Sequence, residues 1–283
     1  MPVYFDQLNR KVDIPNSPKR IISLVPSITH LLHKLKLKNE LVGITKFCVD
    51  PPDLRSNIDL IGGTKKQDIK KIRELKPDLI IANKEENKKE TIQQLEEFAP
   101  VWVSEVNSVS DSIAMIFSLG RICNREEEAN KIIERISVGF AKVKKRARRF
   151  LINPTAGYFI WQDPYMVAGH NNIINSIMKY MGFENVFNTK HNELMEKYVR
   201  NNKLNHRYPI VNEEIIQLIS PKYLLLSSEP FPFKEKHIAQ FKEILPTAEI
   251  MLVPGEMFSW YGAKLIKSAD YLLNLQTILL SKS

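Results

Sequence analysis

Apolar residues follow two alternating patterns along most of this chain. Short continuous runs, such as residues 79–82 and 223–226, predict strands that are buried on both faces. Longer stretches, such as residues 110–122 and 235–244, place apolar residues three or four apart and predict helices. Because the predicted strands and helices alternate, we expect an α/β fold with parallel central sheets.

The longest helical pattern covers residues 124–150, in the middle of the chain. Its apolar face is formed by residues at steps of three and four, namely Ala129, Ile132, Ile133, Ile136, Phe140, Val143 and Ala147. Asn124 is the predicted N-cap, and three glutamates stand in the first turn, where the helix dipole favours anions. We interpret this element as a backbone helix of about 40 Å that joins two lobes. The alternative is a long core helix within one domain.

The two halves of the chain resemble each other. Residues 69–83 and 214–228 both read as helix, proline, buried strand and polar loop, which indicates an internal duplication. We therefore predict an N-terminal α/β lobe over residues 1–123, the linking helix over 124–150 and a C-terminal α/β lobe over 151–283. Ligands of open parallel sheets bind beyond the carboxyl ends of the strands, so we expect the loops of two facing lobes to line one cleft.

The composition is that of an ordinary globular protein, with 43% hydrophobic and 26% charged residues among 283. No apolar run is long enough to cross a membrane, and the sequence as given starts without a secretory signal. On this basis we expect a cytoplasmic location and a monomer. Cys48 and Cys123 are too few for a disulfide framework.

The net charge of +9 is compatible with nucleic acid, membrane surfaces or anionic ligands as partners. The basic residues are dispersed, and the densest group, residues 142–149, lies at a helix end where the dipole favours cations. We interpret that group as a solvated helix face. No nucleic-acid-binding motif occurs, so we predict no nucleic-acid partner.

The loops that follow the predicted strands carry the candidate ligand-binding residues. In the first lobe they offer a hydroxyl at a helix start, cations, an aromatic ring and a thiol: Pro26, Ser27, Lys46, Phe47, Cys48, Thr64 and Lys65. In the second lobe they are mostly aromatic: Trp161, Met166, His170, Phe231, Phe258, Trp260 and Tyr261. Aromatic residues on stiff loops suit a large flat ligand.

No catalytic or metal-binding motif is visible in the sequence. There is no His-Glu-x-x-His pattern, no phosphate-binding loop and no Gly-x-Ser-x-Gly turn. We therefore predict no enzyme activity, no metal held by protein side chains and no intrinsic cofactor. Cys48 has no predictable base beside it, which favours an inert thiol.

Four sequence features follow one another in an order that indicates a family. A predicted strand precedes Pro26-Ser27, and the motif Val-Gly-Ile-Thr-Lys-Phe-Cys begins at Val42. The motif Ile-Arg-Glu-Leu-Lys-Pro-Asp-Leu-Ile-Ile-Ala begins at Ile72, and the long helix comes last. In this order the chain resembles the class III substrate-binding proteins of ABC importers. These helical-backbone metal receptors include the cobalamin and ferric-siderophore binders. The loops after Thr45, Gly62, Asn83, Ser228 and Ser259 are similar to those of a subgroup close to the cobalamin binders.

The resemblance implies a non-enzymatic binding protein that holds a metal chelate, a corrinoid or a ferric siderophore, between two rigid lobes and feeds an ABC permease. It implies a periplasmic or cell-surface location. It also implies a permease-docking glutamate on each lobe, for which the candidates are Glu85 or Glu86 and Glu229. Phe47 and Trp260 stand where cobalamin binders have aromatic residues, whereas Lys65-Lys66 replaces one.

Two alternatives stay open from the sequence. The first is a cytosolic enzyme or metal-handling factor on the same scaffold that uses Cys48, Lys46 and Glu256. The second is a partner-binding module with an unoccupied cleft.

Overall fold

The computed structural model describes residues 3–150 and 154–281 and divides the chain into two compact units. The first unit comprises Met1–Val106, Ser110–Ile136 and Tyr261–Lys264, and the second comprises Asn107–Val109, Ser137–Trp260 and Leu265–Ser283. The division thus falls inside the long central helix. The three-part division drawn from the sequence stays a prediction.

The first unit contains a hairpin and a parallel sheet. The hairpin pairs β1 (Val3–Phe5) with β2 (Lys11–Asp13). The sheet has the order β5-β4-β3-β6-β7 and is built from β3 (Ile21–Ser23), β4 (Leu41–Ile44), β5 (Asp59–Leu60), β6 (Leu79–Asn83) and β7 (Val101–Ser104). Its strands alternate with α1 (Pro26–Lys34), α2 (Ile69–Glu74) and α3 (Lys89–Glu96), and β7 leads to α4 (Val109–Ile122).

The N-terminal hairpin covers the edge of the sheet at β7. The backbone N–H of Gln7 donates to the Val103 carbonyl at 3.1 Å. The indole N–H of buried Trp102 donates to the Phe5 carbonyl at 3.3 Å. An exposed edge strand invites pairing with other chains, so this cover protects β7.

The predicted long central helix is present as α5 (Glu126–Ala147), but it begins later than predicted. Its apolar face is buried at Ile136, Phe140 and Val143. Asn124 has a φ of 52°, and the next residue, Arg125, donates its N–H to the Gly120 carbonyl at 2.7 Å. The N-cap prediction is therefore wrong, because left-handed Asn124 closes α4 and does not begin α5.

The second unit contains a six-stranded sheet with the order β11-β9-β8-β12-β13, and β10 also pairs with β8. Its strands are β8 (Thr155–Trp161), β9 (Tyr165–Val167), β10 (Glu184–Asn185), β11 (Ile210–Val211), β12 (Tyr223–Ser227) and β13 (Glu249–Val253). Its helices are α6 (Ile173–Met181), α7 (Glu193–Asn201), α8 (Glu213–Ile219), α9 (Glu235–Ile244), α10 (Glu256–Ser259) and α11 (Leu265–Ser281).

The parallel pairs of β12 with β8 and β13 form the centre of this sheet, so the predicted α/β fold with parallel central sheets is confirmed. Met166 and His170 were expected on a loop, but Met166 belongs to β9, which pairs antiparallel with β8. Residues 183–212 contain α7 and two short strands. The N-cap Asn192, which accepts the N–H of Met195 at 3.1 Å, was a readable signal for α7.

Buried aromatic rings fill one side of the second sheet. Phe159 of β8 lies 4.7 Å from Phe241 of α9 and 5.6 Å from Phe187, measured between ring centroids. Such edge-on packing stabilises a core beyond the area it buries. This packing holds β8 in place, and the candidate site of this unit begins where β8 ends.

We expect Gly182→Ala to lower the free energy of unfolding by about 1–2 kcal/mol. Gly182 closes α6 with a φ of 84°, and an added Cβ would lie 2.9 Å from the Cβ of Ala147. Urea unfolding followed by circular dichroism measures the change. Lys179→Ala, at an exposed position in the last turn of the same helix, is the control and should cost less than about 0.5 kcal/mol. Equal stability of wild type and Gly182→Ala would contradict the strained cap.

Candidate functional site

In the first unit, the loop after β4 presents a cation and an exposed ring side by side. The Lys46 Nζ lies 5.2 Å from the centre of the Phe47 ring. Phe47 is 49% exposed, a large value for an aromatic side chain. A Cβ on Gly63 would lie 3.2 Å from the edge of this ring, so glycine lets the next loop approach it closely.

Cys48 points away from that surface and is buried. Its Sγ lies 3.0 Å from Thr29 Oγ1 and 3.2 Å from Thr45 Oγ1. Burial raises the pKa of the Cys48 thiol, and the hydrogen bonds of the two threonines offset only part of this. The thiol therefore stays neutral and packs as a small apolar group. The candidates at the start of α1 also differ in exposure, since Pro26 is half-buried and Ser27 is buried.

The loop after β6 is held by the side chains of two buried asparagines. Asn83 Oδ1 accepts the backbone N–H groups of Glu85 at 2.9 Å and Glu86 at 3.1 Å. Asn83 Nδ2 donates to Ser104 Oγ at 3.1 Å, and Asn87 Oδ1 accepts the Asn83 N–H at 2.8 Å. Every one of these side-chain contacts lies within the first unit, so they fix the shape of this loop.

Thr64 and Lys65 join the β6 loop to the loop after β5. Asn87 Nδ2 donates to the Thr64 carbonyl at 2.8 Å, and the Lys65 ammonium donates to the Glu85 carbonyl. Glu85 is exposed and Glu86 is half-buried. The first unit thus groups Lys46, Phe47, Thr64 and Lys65 on adjoining loops, as the sequence predicted, but their ligand-binding role stays a prediction.

In the second unit, aromatic rings gather where β8 ends. Trp161 is 40% exposed and lies 5.7 Å from Phe231, measured between ring centroids. Met166 of β9 stands opposite Trp161 in the strand register. These three predicted residues therefore form one half-exposed apolar surface. Phe231 packs in turn on Phe233 at 4.8 Å.

Glu229 fixes the position of Trp260. Its Oε1 accepts the Trp260 indole N–H at 3.0 Å and the Ser259 hydroxyl at 2.8 Å. A Cβ on Gly255 would lie 2.3 Å from Glu229 Cγ, so the side chain passes directly over that glycine. The predicted docking role of Glu229 stays untested, but this carboxylate already has two donors inside its own unit.

Phe258 and Tyr261 are not on an exposed surface. Phe258 is fully buried, 5.1 Å from Tyr158 and 6.2 Å from Tyr271 between ring centroids. Tyr261 belongs to the first unit, and burial raises its pKa well above the ordinary value. Both were predicted to contact ligand because the loop over residues 254–262 reads as aromatic, but α10 turns Phe258 inwards.

His170 lies at the opposite end of the sheet from Trp161. The antiparallel β9 carries the chain back along β8, so that the Ala168 N–H donates to the Tyr158 carbonyl at 2.9 Å. There His170 Nδ1 lies 2.7 Å from Thr189 Oγ1, and burial together with nearby Lys190 lowers the pKa of His170. His170 therefore lies away from Trp161, and its predicted ligand-binding role stays a prediction.

Over residues 3–150 and 154–281, no group of three His, Cys, Asp or Glu side chains is placed to hold a metal ion. Over the same ranges, no helix is both long and apolar enough to cross a bilayer. Sequence patterns singled out the loop after Asn83 but not the asparagine side chains that hold it, although Asn83 at the end of a buried strand was a visible signal.

A family model described as "periplasmic binding protein" matches residues 21–246. The chain belongs to the periplasmic binding protein family. A similar relative is an uncharacterized ABC transporter substrate-binding lipoprotein of Bacillus subtilis, 23% identical over 64% of this chain. That match spans 59% of the relative's own length, less than two thirds. The vitamin B12-binding protein of Pectobacterium carotovorum is 22% identical over 93% of this chain and 90% of that protein.

Solved structures show the same periplasmic binding protein fold. The vitamin B12-binding protein BtuF of Vibrio cholerae has a TM-score of 0.76 and 17% identity, over 93% of this chain and 98% of that one. The petrobactin-binding protein YclQ of Bacillus subtilis has a TM-score of 0.77 and 16% identity, over 98% of this chain and 97% of that one. The predicted family resemblance is thereby confirmed, and these identities support the fold alone.

We expect Cys48 and Cys123 to react slowly with a thiol-specific reagent in the native protein at about pH 8. Burial raises both thiol pKa values, that of Cys123 to about 12, so little reactive thiolate is present. Both thiols should react fully after unfolding in guanidinium chloride. Fast labelling of the native protein that disappears in Cys48→Ala would contradict this and would favour the alternative with a reactive Cys48.

We expect Glu229→Ala to release Trp260, because the indole N–H and the Ser259 hydroxyl lose their shared acceptor. Quenching of tryptophan fluorescence by iodide, measured in a Trp161→Phe background, should increase. The loss of stability should be about 1–3 kcal/mol. Glu229→Gln keeps a carbonyl oxygen at the same place and should behave like the wild type. Identical quenching in the alanine and glutamine variants would refute the positioning role.

Proposed function

We propose that this chain is a solute-binding protein of an ABC importer and that its solute is a metal enclosed in a chelate. The observation that carries the proposal is the pairing of half-exposed Phe47 with Lys46 on one loop. An exposed ring is costly in water and suits the flat apolar surface of a macrocycle or an aromatic chelate. The neighbouring ammonium group suits anionic substituents on such a ligand.

The second unit supports the same class of solute. Trp161, Phe231 and Met166 offer a continuous apolar surface, and Glu229 holds Trp260 in one orientation. Large rigid aromatic side chains bind flat ligands at low cost in conformational entropy. Relatives of this chain are named for vitamin B12 and petrobactin, a cobalt corrinoid and an iron chelator.

The protein needs no metal ligand of its own under this proposal, because the chelator already occupies the coordination sites of the metal. The importer partner would be a permease, with exposed Glu85 as the docking candidate on the first unit. The location would be the side of the membrane from which solutes enter, as the word periplasmic in the family description implies.

Purified protein should be tested against cyanocobalamin, hemin and ferric siderophores of the catecholate, hydroxamate and carboxylate types. Binding of one of them at about 100 times its Kd should raise the free energy of unfolding by about 2.7 kcal/mol and shift the thermal midpoint upwards. A panel of all these compounds without any shift would count against the chelate proposal.

With the ligand found in this way, we expect Phe47→Ala to weaken binding by about 10- to 100-fold, since a buried aromatic contact is worth about 1.5–3 kcal/mol. Val49→Ala is the matched control, because Val49 is 51% exposed on the same loop. Isothermal titration calorimetry measures both variants. Unchanged affinity in Phe47→Ala would remove the β4 loop from the ligand site without excluding ligand binding as such.

A further inference from the structure

The C-terminal half of α5 and the turn that follows it form an exposed basic face. No Asp or Glu occurs between Glu134 and Asp163. Within this stretch, the exposed cationic side chains that we define as the basic face are Lys142, Lys144, Lys145, Arg148 and Arg149. Five exposed cations thus occupy eight consecutive positions.

Helix-dipole compensation and internal pairing account for only part of this charge. The dipole acts within the last turn, and Lys142 precedes the end of α5 by more than one turn. Arg146, between these residues, does serve the fold, since its Nη1 donates to the Leu273 carbonyl at 2.9 Å and to Thr277 Oγ1 at 2.8 Å. Among residues 3–150 and 154–281, the ion pairs recorded for α5 lie in its first two turns, at Glu127 with Lys131 and at Glu128.

We propose that the basic face binds the surface of a bilayer that contains anionic phospholipid. The apolar side of α5 is buried in the protein, so the contact would be electrostatic adsorption without insertion. Five cations within a Debye length of one anionic surface act together, each multiplying the affinity by about five. The exposed apolar residues of this half-helix are Val138 and Ala141, and neither aliphatic side chain can stack on nucleobases. The proposal does not depend on the proposed solute.

The test is co-sedimentation of the full chain with vesicles of phosphatidylcholine alone and of phosphatidylcholine mixed with phosphatidylglycerol. We expect binding to the anionic vesicles only, and release at about 1 M salt, where screening is strong. The triple variant Lys142→Gln/Lys145→Gln/Arg149→Gln should bind about 100-fold more weakly, since it removes three charges of the basic face.

The matched control is Lys197→Gln/Arg200→Gln/Lys203→Gln, which removes three exposed charges at and just after α7. It should keep the wild-type affinity for vesicles, and circular dichroism should show that both triple variants are folded. Three outcomes would overturn the proposal: no binding of the wild type to anionic vesicles, equal losses in both triple variants, or tighter binding to duplex DNA than to the vesicles at the same salt.

Discussion

The central strands of both units are buried on both faces, and this constraint decides where polar chemistry can stand. Leu79 to Asn83 and Tyr223 to Ser227 are buried at every position. A polar side chain inside such a strand would lack a hydrogen-bond partner, so polar groups collect where the strands end. Asn83 and Ser227 are the last residues of their strands, and both are engaged by hydrogen bonds to the loops that follow.

The two units carry different side chains at the ends of their buried strands. The first unit places the Lys46 ammonium beside the exposed Phe47 ring, and Lys65 on an adjoining loop donates to the Glu85 carbonyl. The second unit joins aromatic side chains into a surface and orients one indole with a carboxylate. The loops at the strand ends of the two units therefore differ in their chemistry.

Sequence patterns were sufficient where burial and chain direction agree. The apolar runs gave the central strands, and the helix over residues 235–244 was predicted with its observed limits. The pattern failed at β9, because a three-residue strand next to a proline turn carries too few positions to show alternation. It also failed at Phe258, whose inward orientation depends on a four-residue helix and on Tyr158, about a hundred positions earlier.

Contacts between distant residues explain what the sequence left out of the candidate site. Nothing in the sequence near Glu229 shows that its carboxylate accepts hydrogen bonds from Ser259 and Trp260, about thirty positions further along. Likewise, the contact of the Cys48 thiol with Thr29 Oγ1 joins residues that are separated along the sequence and meet only in the folded chain. The charged and aromatic residues of a loop can be read from the sequence, whereas the direction of each side chain depends on the residues that pack around it in the fold.

The loop locked by Asn83 has a kinetic consequence. One amide side chain holds two successive N–H groups of this loop, and a second asparagine ties it to the adjoining turn. A loop that is already ordered before it meets a ligand loses little conformational entropy when it binds. A molecule that binds to this loop would therefore find it already in its final conformation. Its association rate would be set by diffusion and charge rather than by a slow rearrangement of the chain.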